Sequence, residues 1–247
     1  MTKKILKTPY ISIIIPLYNE KRRLNNLLKI YAYFQTTKLS YEVILVNDGS
    51  QDQTANKLNE LSKNLKFSLI SYQNNQGKGF AIKTGILTAK GSYLLFTDID
   101  LSTPIEEFNK FLPYLKENTV LIGSRKIMGS KLDKRQPYLR ETLGKGFTFL
   151  SQKLLNLNIK DFTCGFKCFP KKIAFEVFSK QKIERWGFDS EILFLAKKYG
   201  YKIKEIPVKW SNDPGSKVRF PLDIMVSLMD LLTVRYNELR KKYDNKN

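Results

Sequence analysis

Histidine is absent from this 247-residue chain. Catalysis by a neutral imidazole and zinc sites built on histidine are therefore excluded. Cysteine is scarce. Cys164 and Cys168 are too few for a disulfide framework or a four-cysteine zinc site, and they fit a reducing compartment. No run approaches the roughly 20 consecutive apolar residues of a membrane span. The basic start, Met1 to Lys7, leads into a short apolar stretch interrupted by Pro16 and followed by Asn19-Glu20-Lys21. That pattern reads as a core strand, not a signal peptide. Acids are under-represented: 23 against 43 basic residues leave a net charge of +20. Such a balance points to a polyanionic partner, whether nucleic acid, an anionic membrane surface or a phosphorylated substrate. The hydrophobic content of 42% supports one large domain with a sizeable core. No internal repeat or low-complexity linker divides the chain.

The first hundred residues alternate between apolar runs and helical periodicity. Tyr10 to Leu17, Glu42 to Val46, Leu65 to Tyr72 and Tyr93 to Thr97 read as strands. Between them, helices are expected over Glu20 to Phe34, Ser50 to Leu61 and Gly79 to Ala89. Ser50-x-x-Gln53 has the form of a capping box, and Thr103-Pro104-Ile105-Glu106 combines a cap, a first-position proline and a capping acid for a further helix. Strand–helix alternation of this kind predicts an α/β fold, a parallel sheet with helices on both faces. Ligands of such sheets bind outside the carboxyl ends of the strands. Four polar clusters fall there: Pro16 to Glu20, Asn47 to Ser50, Asn75 to Gly79, and Asp98-Ile99-Asp100.

The last cluster is the most informative. A strand ending in Asp-x-Asp presents two hard oxygen ligands, suited to a divalent cation carrying a diphosphate. Asn47-Asp48-Gly49 reads as a strand-to-helix loop, with Asp48 able to accept from the N–H of a base; a hairpin turn is the alternative. Asp52 fits a dipole-complementing residue of a first helical turn. Gly77-Lys78-Gly79 lacks the order of a Walker loop, yet a lysine at a helix start on the binding edge can meet a phosphate.

The second half is less regular and more basic. Between Ile122 and Leu150, Arg125, Lys126, Lys131, Lys134, Arg135, Arg140 and Lys145 face only two acids. Tyr138 to Leu155 can form an amphipathic helix with Leu139, Leu143, Phe147, Leu150 and Leu154 on one face, packed on a core or lying at a membrane interface. Pro221 can start another, with Leu222, Met225, Val226, Met229, Leu232 and Tyr236 in one stripe followed by Arg235, Arg240, Lys241 and Lys242. That stripe has three readings: membrane docking, core packing or a second subunit. In Arg185 to Glu191, Asp189 is a candidate helix cap and Glu191 is then available to a site. Gly215-Ser216-Lys217 reads as a basic loop able to close over a phosphate, or as a plain turn.

Taken together these residues resemble the inverting family-two nucleotide-sugar glycosyltransferases of the GT-A fold, and within them the polyprenyl-phosphate branch, especially the dolichyl-phosphate β-glucosyltransferase group. The resemblance runs from Ser12 to about Tyr236. The early motifs, Ile15 to Glu20, Val46 to Ser50, Asn75-x-Gly77-Lys78-Gly79, Thr97 to Pro104 and Gly123-Ser124-Arg125, are shared widely. Asp161 to Lys167, Trp186 to Glu191, Glu205 to Trp210 and Ser216-Lys217 single out the lipid-phosphate branch. Ile99 stands where alanine is more usual.

The resemblance implies a Rossmann-like GT-A sheet, mostly parallel and flanked by helices, in one domain over 1–247. About 10–120 would bind the nucleotide sugar and about 121–220 the acceptor. About 221–247 would form a C-terminal amphipathic helix and basic tail. Pro16, Tyr18, Glu20, Asp48, Lys78 and Asp98 would hold the donor, and Asp100 with Asp98 would ligate Mg2+ or Mn2+. Arg125, Arg140, Ser216 and Lys217 would meet the acceptor or its phosphate. Asp100, Arg125, Asp189 and Glu191 are the catalytic candidates, the last two as bases for a hydroxyl acceptor. The expected reaction moves a hexose, glucose from UDP-glucose, to a polyprenyl or dolichyl phosphate with inversion. The alternatives are GDP-mannose as donor or a hydroxyl acceptor. Eukaryotic relatives usually carry an N-terminal membrane anchor and some bacterial relatives C-terminal spans; with neither legible in this sequence, the expectation is peripheral attachment on the cytoplasmic face of an anionic membrane, as a monomer or homo-oligomer. A nucleic-acid-binding protein is the reading of a different class, but no recognised nucleic-acid motif is present and acids crowd the binding edge. Intact Asp98 and Asp100 argue against a dead, membrane-docked scaffold.

Overall fold

The burial pattern of the first strand sets the architecture. In β1 (Ile11–Leu17), Ile14 faces one hydrophobic core while Ile13 and Ile15 face another. A strand apolar on both faces belongs at the centre of a parallel sheet with helices on each side. The computed structural model describes residues 8–134, 137–213, 215 and 222–244. In it, β1 lies between β2 (Tyr41–Asp48) and β4 (Tyr93–Thr97), parallel to both. β3 (Ser68–Tyr72) extends the sheet beyond β2. On the other side come β7 (Phe166–Pro170), β5 (Thr119–Ser124) and β8 (Lys202–Pro207), giving the order β3-β2-β1-β4-β7-β5-β8. β7 alone runs antiparallel to its neighbours. β6 (Lys131–Lys134) and β9 (Lys209–Ser211) form a separate parallel pair. The expected α/β fold with a mostly parallel sheet is borne out.

The helices are α1 (Asn26–Thr36), α2 (Thr54–Leu61), α3 (Lys78–Thr88), α4 (Tyr138–Leu155), α5 (Lys171–Lys180), α6 (Phe188–Lys198) and α7 (Leu222–Leu239). α3, α5 and α6 bury Ile82, Ile86, Phe178 and Ile192 against Phe96 and Phe169. α1 buries Leu27, Ile30 and Phe34 on the opposite face, beside Phe108 and Phe111. Successive connections from β1 leave toward β2 and, after β3, return to β4 on its other side. The loops after β1 and β4 therefore part at their carboxyl ends and open a crevice, the usual ligand position in such sheets.

Three local expectations are corrected. α1 starts at Asn26, not Glu20, because residues 21–25 form tight turns closed by Arg23 N–H to Glu20 O and Asn26 N–H to Arg23 O. Ser50 does not cap α2. Its hydroxyl accepts the Asn19 N–H, and Asp52 accepts the Thr54 N–H instead. The chain after Pro104 forms only 3-10 turns, Ile105–Lys110 and Leu112–Tyr114. Pro113 lacks the N–H that a longer α-helix needs, and Phe108 and Phe111 are buried at a spacing of three.

α4 splits its apolar stripe. Phe147 and Leu154 pack on the core, while Leu139, Leu143 and Leu150 are exposed beside Tyr138 and Phe149. α7 packs against α4 and α6 and buries Leu231 and Val234. Its other face, Leu222, Met225, Val226, Met229, Leu232 and Tyr236, is exposed, so core packing does not account for the stripe. Pro221 lies outside the described residues, as does Arg135. No helix among the described residues is long and apolar enough to cross a membrane.

Candidate active site

The crevice is a cleft of about 470 Å³, lined at its heart by Pro16, Tyr18, Asp48, Lys78, Asp98 and Asp100. Glu20, Arg125 and Arg140 line it too, so nine expected site residues converge. They come from the end of β1 and the loop after it, the end of β2, the start of α3, the loop after β4, the residue following β5 and the first turn of α4.

Asp48 ends β2. Its carboxylate accepts the Gln76 N–H at 2.7 Å, the Gly77 N–H at 2.9 Å and the Asn75 side-chain amide at 2.8 Å. A carboxylate offers roughly four acceptor positions, so room for a further N–H donor remains while the loop before α3 is held. Glu20 pairs with Arg23 at 2.9 Å, and Arg23 reaches Asp213 at 2.6 Å. Arg23 and Asp213 escaped the sequence reading. The Glu20–Arg23 spacing was visible, but nothing local announces a partner 190 positions away.

Lys78 opens α3, where unpaired helix N–H groups favour anions. Its ammonium sits 2.7 and 2.9 Å from the two oxygens of Asp98 and 5.5 Å from the centre of the Trp186 ring. Burial opposes the Lys78 charge, but the carboxylates of Asp98, Asp189 and Asp100 outweigh it and hold the pKa above its ordinary value. Asp100 accepts the Ser102 N–H at 2.8 Å across a turn in which Leu101 has φ of 49°. Burial, then the neighbouring Asp98 charge, push the Asp100 carboxyl above its ordinary range. The site thus carries more negative charge than Lys78 alone relieves.

That surplus fits a divalent cation. Among the described residues no group of three or more acid, cysteine or histidine side chains stands ready to enclose a metal. Magnesium is commonly held by one or two carboxylates with substrate phosphates and water completing its shell. Lys78 engages both oxygens of Asp98, while Asp100 accepts the Ser102 N–H; these are the two carboxylates that could hold a metal, Asp100 the less engaged by a cation.

Arg125 is fixed from behind. Asp161, fully buried, accepts from its Nε and Nη2 at 2.7 Å each and from its backbone N–H at 2.9 Å. Thr163 takes another Nη2 bond at 3.0 Å, and the guanidinium lies 5.3 Å from the Trp210 ring. Burial works against the Asp161 charge, yet Arg125 draws the carboxyl down to about 2. Glu205 accepts the backbone N–H groups of Lys160 and Asp161, which seats this loop on β8. Arg140 enters from α4, its pKa lowered by burial and by the Arg125 charge.

Two expected site residues do not reach the cleft, and two fall outside view. Asp189 does not cap α6. Gly187 occupies the cap, and Asp189 is buried in an ion pair with Lys167, which also donates to the Cys164 carbonyl at 2.7 Å. Glu191 is fully buried. It accepts the backbone N–H groups of Lys182 and Ile183 and the Tyr243 hydroxyl. Neither carboxylate lines the cleft, so neither stands ready as a base. Ser216 and Lys217 lie outside the described residues.

A parallel sheet whose carboxyl edge joins an Asp-x-Asp pair to lysine and arginine is the framework of nucleotide-sugar-dependent transferases. The chain belongs to glycosyl transferase family 2, whose family model matches residues 12–178, and it is a glycosyltransferase. It is 35% identical to a dolichyl-phosphate beta-glucosyltransferase of Dictyostelium discoideum, over 93% of this chain and 75% of the relative. It is 34% identical to the dolichyl-phosphate beta-glucosyltransferase of Homo sapiens, over 85% and 70%. Among solved structures, glucosyl-3-phosphoglycerate synthase from Mycobacterium tuberculosis, in complex with UDP, superimposes with a TM-score of 0.65 at 13% identity, over 97% of this chain and 82% of that one. A mannosyltransferase from Pyrobaculum calidifontis, in complex with GDP-Man and Mn2+, gives 0.63 at 18% identity, over 98% and 66%. These structural likenesses establish the GT-A-type fold.

Proposed function

We propose that the protein transfers glucose from UDP-glucose to the phosphate of a polyprenyl lipid, with inversion and with Mg2+ or Mn2+. The observation that carries this reading is the contrast between the two kinds of candidate group. Arg125, seated on Asp161, and Arg140 line the cleft, whereas Asp189 and Glu191, the acids expected as bases for a hydroxyl acceptor, do not line it and are buried in other bonds. A phosphate acceptor is ionised at neutral pH and needs cations more than a base. The names of the relatives, dolichyl-phosphate beta-glucosyltransferases, support the same acceptor and sugar.

In this reading Pro16, Tyr18, Glu20 and Asp48 hold the nucleoside. Lys78 and the start of α3 face the diphosphate, where negative charge grows as the sugar leaves. The metal, held by Asp100 with Asp98, supplies further stabilisation of that charge. Arg125, kept rigid by Asp161, and Arg140 set the acceptor phosphate near the sugar. A panel of UDP-glucose, UDP-N-acetylglucosamine and GDP-mannose with a short polyprenyl phosphate should yield a glucosyl lipid by mass spectrometry with UDP-glucose alone. Transfer to a soluble hydroxyl acceptor with none to the lipid phosphate would reject the acceptor assignment.

The membrane enters through α4 and α7. α4 delivers Arg140 to the cleft while turning Tyr138, Leu139 and Leu150 outward, and the exposed stripe of α7 lies on the adjoining helix. Lys145, Lys153, Arg235, Arg240, Lys241 and Lys242 accompany these helices. Basic residues near an anionic surface contribute about 1 kcal/mol each. The protein should therefore sediment with anionic liposomes at low salt, release at high salt, and bind neutral liposomes weakly. Binding that ignores lipid charge and salt would exclude electrostatic docking.

A further inference from the structure

Residues 182–187 form a short stretch between α5 and α6 that touches the heart of the cleft. Trp186 and Arg185 line it, and the Lys78 ammonium lies over the Trp186 ring. The stretch is seated on the start of α3. Glu184 O accepts the Phe80 N–H at 2.9 Å. Gly77 (φ 113°) and Gly79 leave no room for a Cβ beneath the Glu184 carbonyl. Two acids pin its ends. At the first, Glu191 of α6 accepts the Lys182 N–H at 3.0 Å and the Ile183 N–H at 2.8 Å, and Tyr243 beyond α7 donates to the same carboxylate at 2.6 Å. At the last, Asp230 of α7 accepts the Gly187 N–H at 3.2 Å, and a Cβ on Gly187 would collide with it.

We propose that Glu191 and Asp230 are positioning residues that hold this stretch at both ends and so set Trp186 and Arg185 against Lys78, the residue that faces the donor diphosphate. The acids touch backbone, not substrate, and act through Trp186 and Lys78. The arrangement also makes α7 a structural link: its outer face carries the exposed apolar stripe, and its Asp230 fixes a wall of the cleft. The inference rests on the reading of the cleft as the donor site.

The test uses the full chain carrying Trp210→Phe, so that Trp186 is its remaining tryptophan. Acrylamide quenching of its fluorescence is measured without ligand, beside thermal unfolding and the kinetics of glucosyl transfer. Asp230→Ala should make Trp186 more accessible to quencher and lower kcat/KM about tenfold or more, since small misplacements of a positioning contact are costly. Asp230→Asn keeps an amide oxygen for the Gly187 N–H and should restore both readouts. Tyr243→Phe should shift both in the same direction by less, because Glu191 keeps its two backbone donors. Unchanged quenching and kinetics in Asp230→Ala, whatever its melting temperature, would overturn the proposal. So would an Asp230→Asn variant indistinguishable from Asp230→Ala. The quenching arm needs no donor or acceptor, so an absence of glucosyl transfer in the parent protein would count against the proposed reaction and not against the clamp.

Discussion

Asp100→Asn should reduce transfer about 100-fold or more, the scale seen when one element of transition-state charge stabilisation is removed, while leaving the fold intact. The amide retains an oxygen for the Ser102 N–H, so the turn after β4 keeps its closing bond. The charge is what disappears. Two carboxylates one residue apart share one lysine, and burial with Asp98 already disfavours the ionised form of Asp100. Without divalent cation, the variant should therefore unfold at the same temperature as the parent or higher. With saturating Mn2+ and UDP the parent should gain more stability than the variant, since a ligand stabilises in proportion to its affinity for the folded state. Asp98→Asn should differ by losing stability outright, because Lys78 then keeps a part-buried charge without its bidentate partner. Near-normal turnover of Asp100→Asn at saturating Mg2+ would remove Asp100 from the role of principal ligand.

The contrast between Asp100 and Asp189 shows which parts of the site the chain's local pattern reveals. Asp98 and Asp100 follow an apolar run of strand length, and strand ends in a parallel sheet point toward the ligand edge, so their place was legible. Pro16, Tyr18, Asp48 and Lys78 were legible for the same reason. Asp189 and Glu191 are likewise carboxylates in a polar motif, yet the place of Asp189 depends on Lys167, 22 positions earlier, and that of Glu191 on Tyr243, 52 positions later. β7 was hidden by similar means. Lys167 gives it a polar centre, but its ammonium is neutralised by Asp189 and the strand is buried throughout. Its antiparallel insertion pairs Cys168 with Leu95 of β4 and with Leu121 of β5, 73 and 47 positions earlier in the chain, distances at which hydrophobic periodicity carries no information. Capping was misjudged at Ser50 and Thr103 because a hydroxyl before a helix pattern can bond elsewhere. Ser50 serves the Asn19 N–H, and the Thr103 hydroxyl lies 3.9 Å from the Cys164 sulfur.

Asp161→Asn should show how much of the acceptor side depends on a residue that never enters the cleft. Asp161 is fully buried and takes three bonds from Arg125, whose side chain is mostly buried as well. Removing one partner of a buried pair costs about 3–5 kcal/mol, because the other charge is left without compensation. For a chain of this size each kcal/mol shifts the melting temperature by roughly 2–4 °C. A loss of about 6 °C or more at neutral pH is therefore expected. The pH dependence follows from the same pair. Arg125 holds the Asp161 carboxyl at about 2 in the folded protein, below the 3.8 of an ordinary aspartate. The stabilisation is present in full above that ordinary value and is lost as pH falls through 3.8 toward 2. The melting temperatures of parent and variant should differ most at neutral pH and converge at the acid end of that window. Arg125 would also lose the partner that fixes its orientation, so the KM for the polyprenyl phosphate should rise while the affinity for UDP stays near that of the parent. An unchanged lipid KM with a lowered melting temperature would make the pair a purely structural one, and equal loss of donor and acceptor binding would place Arg125 on the diphosphate instead of the acceptor.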